Sequence, residues 1–317
     1  MVTILLFTVS YADNKLSTGI ISYTPVEDKD SVYGVLKCKG STRVGRLLNV
    51  WVPSFVEMYP HIQSELSFTG TGHGISSLID GSANIAASSR KIKDLEMETF
   101  YKAKGYPPTE MKVSLDALAL YVNRLNPTPS ITLEQLDAIF SSTRRQGLEA
   151  IVNWKQLGWE DKNITVHLFA KEAGARGFLQ KHVLLGGEYT TQNVVNDKHL
   201  TALSVTDEIE KDKYSIGFGA IGIDNFKVKM LPIAKRERYP EYAPNTKNIK
   251  NEKYPLTRFL YIYMDVPPDK PIPKLLYEFC KFMLSKEGQT IVLKDGGVPL
   301  SPRLIGIELA KIQREGI

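Results

Sequence analysis

Twice within about fifty residues, a short apolar run gives way to a turn rich in Gly, Ser and Thr and then to a helical pattern. The first instance leads from Tyr33 through Leu36 to Gly40-Ser41-Thr42. Val44, Leu47, Leu48, Trp51, Val52 and Phe55 then recur at steps of three and four, the period of one helix face, until Tyr59-Pro60 stops it. The second leads from a strand over residues 62–68 to Thr69-Gly-Thr-Gly-His-Gly74. Ile75, Leu78 and Ile79 follow at helical spacing, and Asp80-Gly81 closes that helix. A third short strand, residues 83–88, ends in Ser88-Ser89-Arg90. Alternation of this kind restricts the chain to an α/β fold with an open sheet. Ligands of such sheets collect at the carboxyl ends of the strands, where all three turns fall.

The first amides of a helix have no intrahelical partner, and the aligned peptide dipoles add partial positive charge there. Hydroxyls at such an end cap the helix or help hold a small anion. For one turn, capping is the simpler account. Three turns offering amides, hydroxyls and the Arg90 guanidinium also suit a tetrahedral oxyanion, which takes donors from many sides.

Composition narrows the function classes. A chain of 317 residues is long enough for two domains, and a net charge of +5 with scattered basic residues does not make a nucleic-acid footprint. The five histidines show no metal-ligand spacing, and Cys38 and Cys280 lie too far apart to define a framework, so separate buried thiols are expected. Gly217-Phe-Gly-Ala-Ile-Gly222 matches a dinucleotide fingerprint in letters only. A further strand-like run follows it where a helix is required. Asp116 sits in an apolar strand, where it is either a general base or an acceptor of neighbouring hydrogen bonds. No nucleophile, base and oxyanion site assemble, and no catalytic residue, metal or cofactor is assigned. The apolar run Met1-Val-Thr-Ile-Leu-Leu-Phe-Thr-Val-Ser-Tyr-Ala12 ends in a small-x-small pattern and reads as a signal peptide over residues 1–12, lacking a basic start. Residues 13–31 are polar, without periodicity, and expected to be loose.

Further along, residues 91–104 read as a helix and Leu115 to Asn123 as a buried strand. Thr132-Leu-Glu-Gln135 is a capping box opening a helix. Residues 164–169 form a strand leading to Ala170-Lys-Glu-Ala-Gly-Ala-Arg-Gly177 and a helix over 178–185. Residues 214–222, 227–233 and 259–264 read as strands, residues 236–253 as a long loop. Ile272, Leu275, Leu276, Phe279, Phe282 and Met283 mark an amphipathic helix, with Gly288 interrupting the pattern.

Taken in order, these segments resemble the PstS-like phosphate-binding proteins of ABC transporters, within the type II periplasmic-binding-protein fold. The matching residues are Gly40-Ser-Thr42, Thr69-Gly-Thr-Gly72 with Leu78-Ile-Asp-Gly81, and Ala87-Ser-Ser-Arg90. They continue through Leu115-Asp-Ala-Leu-Ala119, Asn153-Trp-Lys-Gln-Leu157 and Tyr254-Pro-Leu-Thr-Arg258 to Gly297-Val-Pro-Leu300. The resemblance implies two α/β lobes joined at a hinge, with a cleft between them. Residues 34–114 plus 265–317 are expected in lobe one and 115–264 in lobe two, with crossovers near 112–115 and 254–264. It implies an exported, non-enzymatic monomer in the periplasm. This protein would hand phosphate or a similar oxyanion to an ABC permease in the inner membrane. The alternative is a sensory or interaction protein that keeps the fold with weak or altered anion binding. Carried over, the ligand-binding residues are Ser41 and Thr42, Thr71 and Gly72, Ser89 and Arg90. At the fourth anchor, the family's arginine followed by Ser-Gly-Thr is replaced here by Lys171, Gly174, Ala175 and Arg176, with the hydroxyls gone.

Overall fold

The computed structural model describes residues 16–313, apart from 172 and 224. The expected signal peptide, residues 1–12, lies outside the described residues. Strands β1 (Gly34–Gly40), β2 (Ile62–Ser67) and β3 (Ile85–Ser88) alternate with helices α1 (Thr42–Val56) and α2 (Thr71–Ile79), followed by α3 (Asp94–Lys104). Then come the long strand β4 (Thr109–Asn123), β5 (Ile131–Thr132) and α4 (Leu133–Phe140). Next are β6 (Thr165–Phe169), α5 (Gly174–His182), β7 (Val194–His199), α6 (Ala202–Lys211), β8 (Ser215–Ala220) and β9 (Val228–Met230). The chain closes with β10 (Ile233–Ala234), β11 (Glu241–Tyr242), α7 (Thr246–Lys250), β12 (Thr257–Met264), α8 (Lys274–Leu284), α9 (Lys286–Lys294) and α10 (Pro302–Ile312).

The main sheet runs β2-β1-β3-β12-β4-β8-β6-β7, with β9 also paired to β4. The architecture is the two-lobed α/β fold expected, and β4 is the strand common to both halves. Its first part, Thr109 to Ala117, pairs antiparallel with β12. Its second part, Leu118 to Val122, pairs with β8. Burial on both faces requires the near-continuous apolar run of β4, whose side chains are buried from Val113 to Asn123. The second crossing is tied to the first at one residue. The Leu118 amide donates to the Leu256 carbonyl at 3.0 Å, and the Tyr254 hydroxyl donates to the Leu118 carbonyl at 3.0 Å. β12 is bonded on its other side to β3 (Tyr261 opposite Ser88), so its partners are strands of residues 34–117.

The apolar spacings form helix faces as read. Val44, Leu47, Leu48, Trp51, Val52 and Phe55 are all buried under α1, and the Trp51 indole donates to the Gly288 carbonyl at 2.8 Å. Thr132 and Gln135 make the reciprocal capping box. Gly217 to Ala220 lies in β8, an interior strand with no helix after the glycines, consistent with rejecting a dinucleotide site. Cys38 and Cys280 are unpaired and buried, and burial pushes both thiols up in pKa.

Three expectations require correction. The segment before β1 is docked, since Ile20, Tyr23 and Val26 pack on the core. The Tyr23 hydroxyl lies 2.5 Å from that of Tyr59 and donates to Glu278 Oε2 at 2.8 Å. An aromatic side chain with a polar tip anchors a segment that has no periodicity of its own. Residues 236–253 include β11 and α7. The helix placed at 178–185 begins earlier, at Gly174.

Gly40 is the residue on which the first turn depends. Its φ is +134°, and a Cβ there would sit 2.2 Å from the Ala87 carbonyl oxygen of the neighbouring strand. Both the backbone conformation and the close approach exclude a side chain. Gly40→Ala is expected to lower stability by more than about 2 kcal/mol, measured by urea unfolding. An unchanged midpoint would contradict this packing.

Candidate functional site

The three turns at the carboxyl ends of β1, β2 and β3 are bonded to one another. The Ser41 amide donates to the Ala87 carbonyl at 2.9 Å, and the Gly70 amide donates to the Gly40 carbonyl at 2.9 Å. The Ser89 amide donates to Thr71 Oγ1 at 3.3 Å. Ser41 caps α1, its Oγ accepting from the Arg43 amide at 3.2 Å, whereas the N-cap of α2 is Gly70, which supplies no side-chain cap. Two helix N-termini therefore open side by side, each with partial positive charge.

Helix α5 lies over them. Its N-cap is Ala173, which supplies no side-chain bond. Gly174 comes so close that a Cβ on it would lie 2.1 Å from Ser89 Oγ and 3.0 Å from Thr71 Oγ1. The absent side chain allows this approach of the lobes. Between them lies a cavity of about 320 Å3. Ser41, Thr42, Thr71 and Ser89 line it from one side, Gly174 and Ala175 from the other. Six of the ten residues expected at the site are thus brought together.

The other four, Gly72, Arg90, Lys171 and Arg176, lie outside that lining, each for a local reason. Arg90, expected as the site's guanidinium, forms a two-pronged pair with Glu96 at 2.6 and 2.8 Å. Burial pushes the Glu96 carboxyl up, but Arg90 and the Lys93 amide outweigh it and hold the group below its ordinary range. A carboxylate in the first turn of α3 captures the fork before it reaches the cavity. Gly72 lies in the first turn of α2, outside the lining. Arg176 donates to the Phe169 carbonyl at 2.6 Å and stacks on Tyr189, with its guanidinium 4.6 Å from the ring centre. It and Lys171 border a separate outer concavity beside Asn196 and Lys198.

The cations that line the cavity, Arg43, Arg46 and Arg258, were not singled out as ligand residues from the sequence. Arg43 and Arg258 converge on Asp116. Arg258 donates to its Oδ2 through Nε at 3.0 Å and Nη2 at 2.7 Å, and Arg43 Nε lies 3.4 Å from Oδ1. Arg43 also binds Asp295, which Arg46 meets at 2.9 Å. Burial pushes the Asp116 carboxyl up, but the guanidiniums of Arg43 and Arg258 outweigh it and hold the pKa below the usual carboxylate range. Asp116 is fully enclosed and committed to these partners, which assigns it the hydrogen-bonded role and not that of a base. One nitrogen of each arginine, Arg43 Nη2 and Arg258 Nη1, is buried without a protein partner. A signal for the trio existed in the sequence: charges isolated within apolar runs must find one another when buried.

The cavity is thus lined by hydroxyls, helix N-termini and arginine residues, and among the described residues no carboxylate lines it. That donor set fits an oxyanion. No cluster of metal-ligating side chains occurs among the described residues.

Comparisons with known proteins agree with this geometry. A family model described as a PBP superfamily domain matches residues 25–287. The chain is 35% identical over 280 residues to the phosphate-binding protein PstS of Pseudomonas aeruginosa, covering 86% of this chain and 85% of that one. It is 27% identical over 283 residues to PstS of Staphylococcus epidermidis, covering 87% and 82% respectively. Among solved structures, an ABC-type phosphate transport receptor of Vibrio cholerae superposes with a TM-score of 0.67 at 24% identity, covering 83% of this chain and 99% of that one. A Clostridium perfringens protein solved with bound phosphate gives 0.66 at 23% identity, covering 84% and 100%. At those identities the structural likeness is one of fold.

The Asp116 arrangement makes a prediction about acid. Its folded pKa is lowered, so its stabilising contribution is fully present above the unfolded aspartate value of about 3.9 and is lost as pH falls toward the folded value. Asp116→Asn leaves two buried cations undercompensated and is expected to cost about 3–5 kcal/mol at pH 7. The gap from the unsubstituted protein should narrow between pH 5 and pH 3 in urea unfolding. A gap independent of pH would show that the carboxylate charge is not what matters.

Proposed function

The chain belongs to the PBP superfamily, within its PstS-like phosphate-binding branch, and on that footing we propose that it captures phosphate or a similar tetrahedral oxyanion in the cleft between its lobes for an ABC uptake transporter. It is a binding protein, not an enzyme. The observation that carries the reading is a cavity lined by the hydroxyls of Ser41, Thr71 and Ser89, by no carboxylate among the described residues, and by Arg258, whose enclosed Nη1 has no protein partner. A buried guanidinium nitrogen without a partner is costly, and an anion supplies the missing acceptor.

Capture follows from the topology. An anion held by the three turns of lobe one presents its far side to the α5 N-terminus, so it binds the closed arrangement better than an open one. Bending is concentrated where β4 and the 254–257 segment cross. In this reading lobe one comprises residues 34–117 and 257–312, because the pairing of β12 with β3 and the first part of β4 supports moving it from the lobe first expected. Lobe two comprises the strands and helices between. The closed form docks on a permease, and the protein acts as an exported monomer in the periplasm. The apolar run ending at Ala12 supports export, and no helix among the described residues is long and apolar enough to cross a membrane.

Calorimetric titration of phosphate on ligand-stripped protein tests the reading. Ser89→Ala removes one hydroxyl donor to a charged ligand, worth about 1.5–3 kcal/mol, so affinity should fall roughly 10- to 100-fold with little change in melting temperature. Equal affinity in the variant would remove Ser89 from the site. No heat of binding in either protein would leave the sensory or interaction alternative as the better account.

A further inference from the structure

Besides the two crossings of the chain, a pair of glycines brings the lobes together. Gly222 follows β8, two residues beyond Ala220 at the cavity, and Gly296 lies in the turn between α9 and α10. In the lobe division above, the first belongs to lobe two and the second to lobe one. A Cβ on Gly222 would lie 3.0 Å from the Gly296 carbonyl oxygen and 3.1 Å from its Cα. A Cβ on Gly296 would lie 2.9 Å from the Gly222 Cα. The two main chains therefore meet with no side chain between them, an approach that glycine alone permits.

Both sides of this contact are anchored to the bend in β4. The Ile221 amide donates to the Ala117 carbonyl at 3.1 Å, where that strand passes from β12 to β8. On the other side, Leu115 and Val298 exchange backbone hydrogen bonds at 2.8 and 3.1 Å. Asp295, next to Gly296, holds Arg43 and Arg46. Neither backbone can yield as the far end of a long side chain would. Rotation of one lobe toward the other about β4 brings these two turns against each other. The cavity has little slack for an error in that rotation, because α5 approaches Ser89 so closely at Gly174.

We propose that Gly222 and Gly296 form the stop against which the lobes close on the anion, which makes them positioning residues for its capture. This rests on the anion-capture reading above and adds what sets the closed angle. A stop of bare backbone lets the α5 amides reach the ligand. A stop thickened by one methyl halts the rotation sooner, and the bonds from α5 lengthen or fail. Losing one hydrogen bond to a charged ligand lowers affinity about tenfold or more. The turns of lobe one still meet the anion as before, so the loss falls on the rate of dissociation.

Gly222 and Gly296 have φ of +87° and +77°, so any side chain there also carries backbone strain. Gly158 in lobe two, at +82°, and Gly81 in lobe one, at +80°, share that strain, but a Cβ on either meets nothing within 4 Å. They are matched controls. Alanine is placed singly at the four positions, and urea unfolding, phosphate calorimetry and release of radiolabelled phosphate are measured on each ligand-stripped protein. All four variants should lose stability. Gly222→Ala and Gly296→Ala should also bind phosphate about tenfold or more weakly, through faster release, while Gly158→Ala and Gly81→Ala keep the parent affinity. Should alanine prevent folding at any position, asparagine, which adopts the left-handed region more readily, replaces it at all four with the same expectation. Parent affinity in the Gly222 and Gly296 variants, or an equal loss in all four, would overturn the stop and leave phosphate capture standing. No binding by the unsubstituted protein would overturn both.

Discussion

The buried charge group of Arg43, Asp116 and Arg258 joins the parts of the molecule that make the site. Arg43 belongs to α1, Asp116 to the shared strand β4, and Arg258 to β12. One carboxylate thereby fixes a helix from the start of the chain against two strands from its middle and end. In an interior where isolated charge is severely disfavoured, the trio is stable only as a unit. It is also incomplete as a unit, because two guanidiniums outnumber the one carboxylate they share. Asp295 offsets part of the excess at Arg43. At Arg258 the residual positive charge borders the cavity, so the interaction that secures the joint also sets the sign of the ligand.

Much of the fold could be read from local spacing. Strand, turn and helix announce themselves through periods of two and nearly four, and Gly40, Thr132 and the α1 face stand where those periods put them. β7, α6 and α10 were not identified. β7 is only partly buried or exposed at every position before His199, so it has no continuous apolar run. Its existence depends on β6 beside it. The docked segment around Tyr23 likewise owes its order to Tyr59 and Glu278, which are distant in sequence.

At the site, the legible part was the backbone and the hidden part was charge pairing. The turns at Ser41, Thr71 and Ser89 were found because glycine and hydroxyl residues mark helix starts. Arg90 was assigned to the ligand because it adjoins a turn, but Glu96, six residues on, is the better partner. Arg43 was not singled out, although it adjoins the Ser41 turn and its side chain is buried. Asp116 was weighed alone, and the spacing of single residues cannot show that two arginines, one 73 residues before it and one 142 after, meet at it. Lys171 and Arg176 lie outside the cavity lining for the converse reason. Lys171 precedes α5 and Arg176 lies in its first turn, but the Phe169 carbonyl and the Tyr189 ring hold Arg176 outside the cavity lining.

The position of β12 between β3 and β4 also bears on how the chain is assembled. β3 ends at Ser88 and β4 begins at Thr109, yet the two never pair, because the strand that separates them is not synthesised until Thr257. Until then the edges of both strands stand open, and Asp116 lacks the second of its arginines. The inner half of β4, together with β6 and β8, can form its sheet earlier from residues already in hand. The second lobe is therefore the more autonomous folding unit, while the first waits on contacts of high sequence separation, the kind that slows folding. A nascent chain of this topology carries an unfilled slot in its principal sheet for most of its synthesis, which favours a state kept unfolded until the whole chain is present.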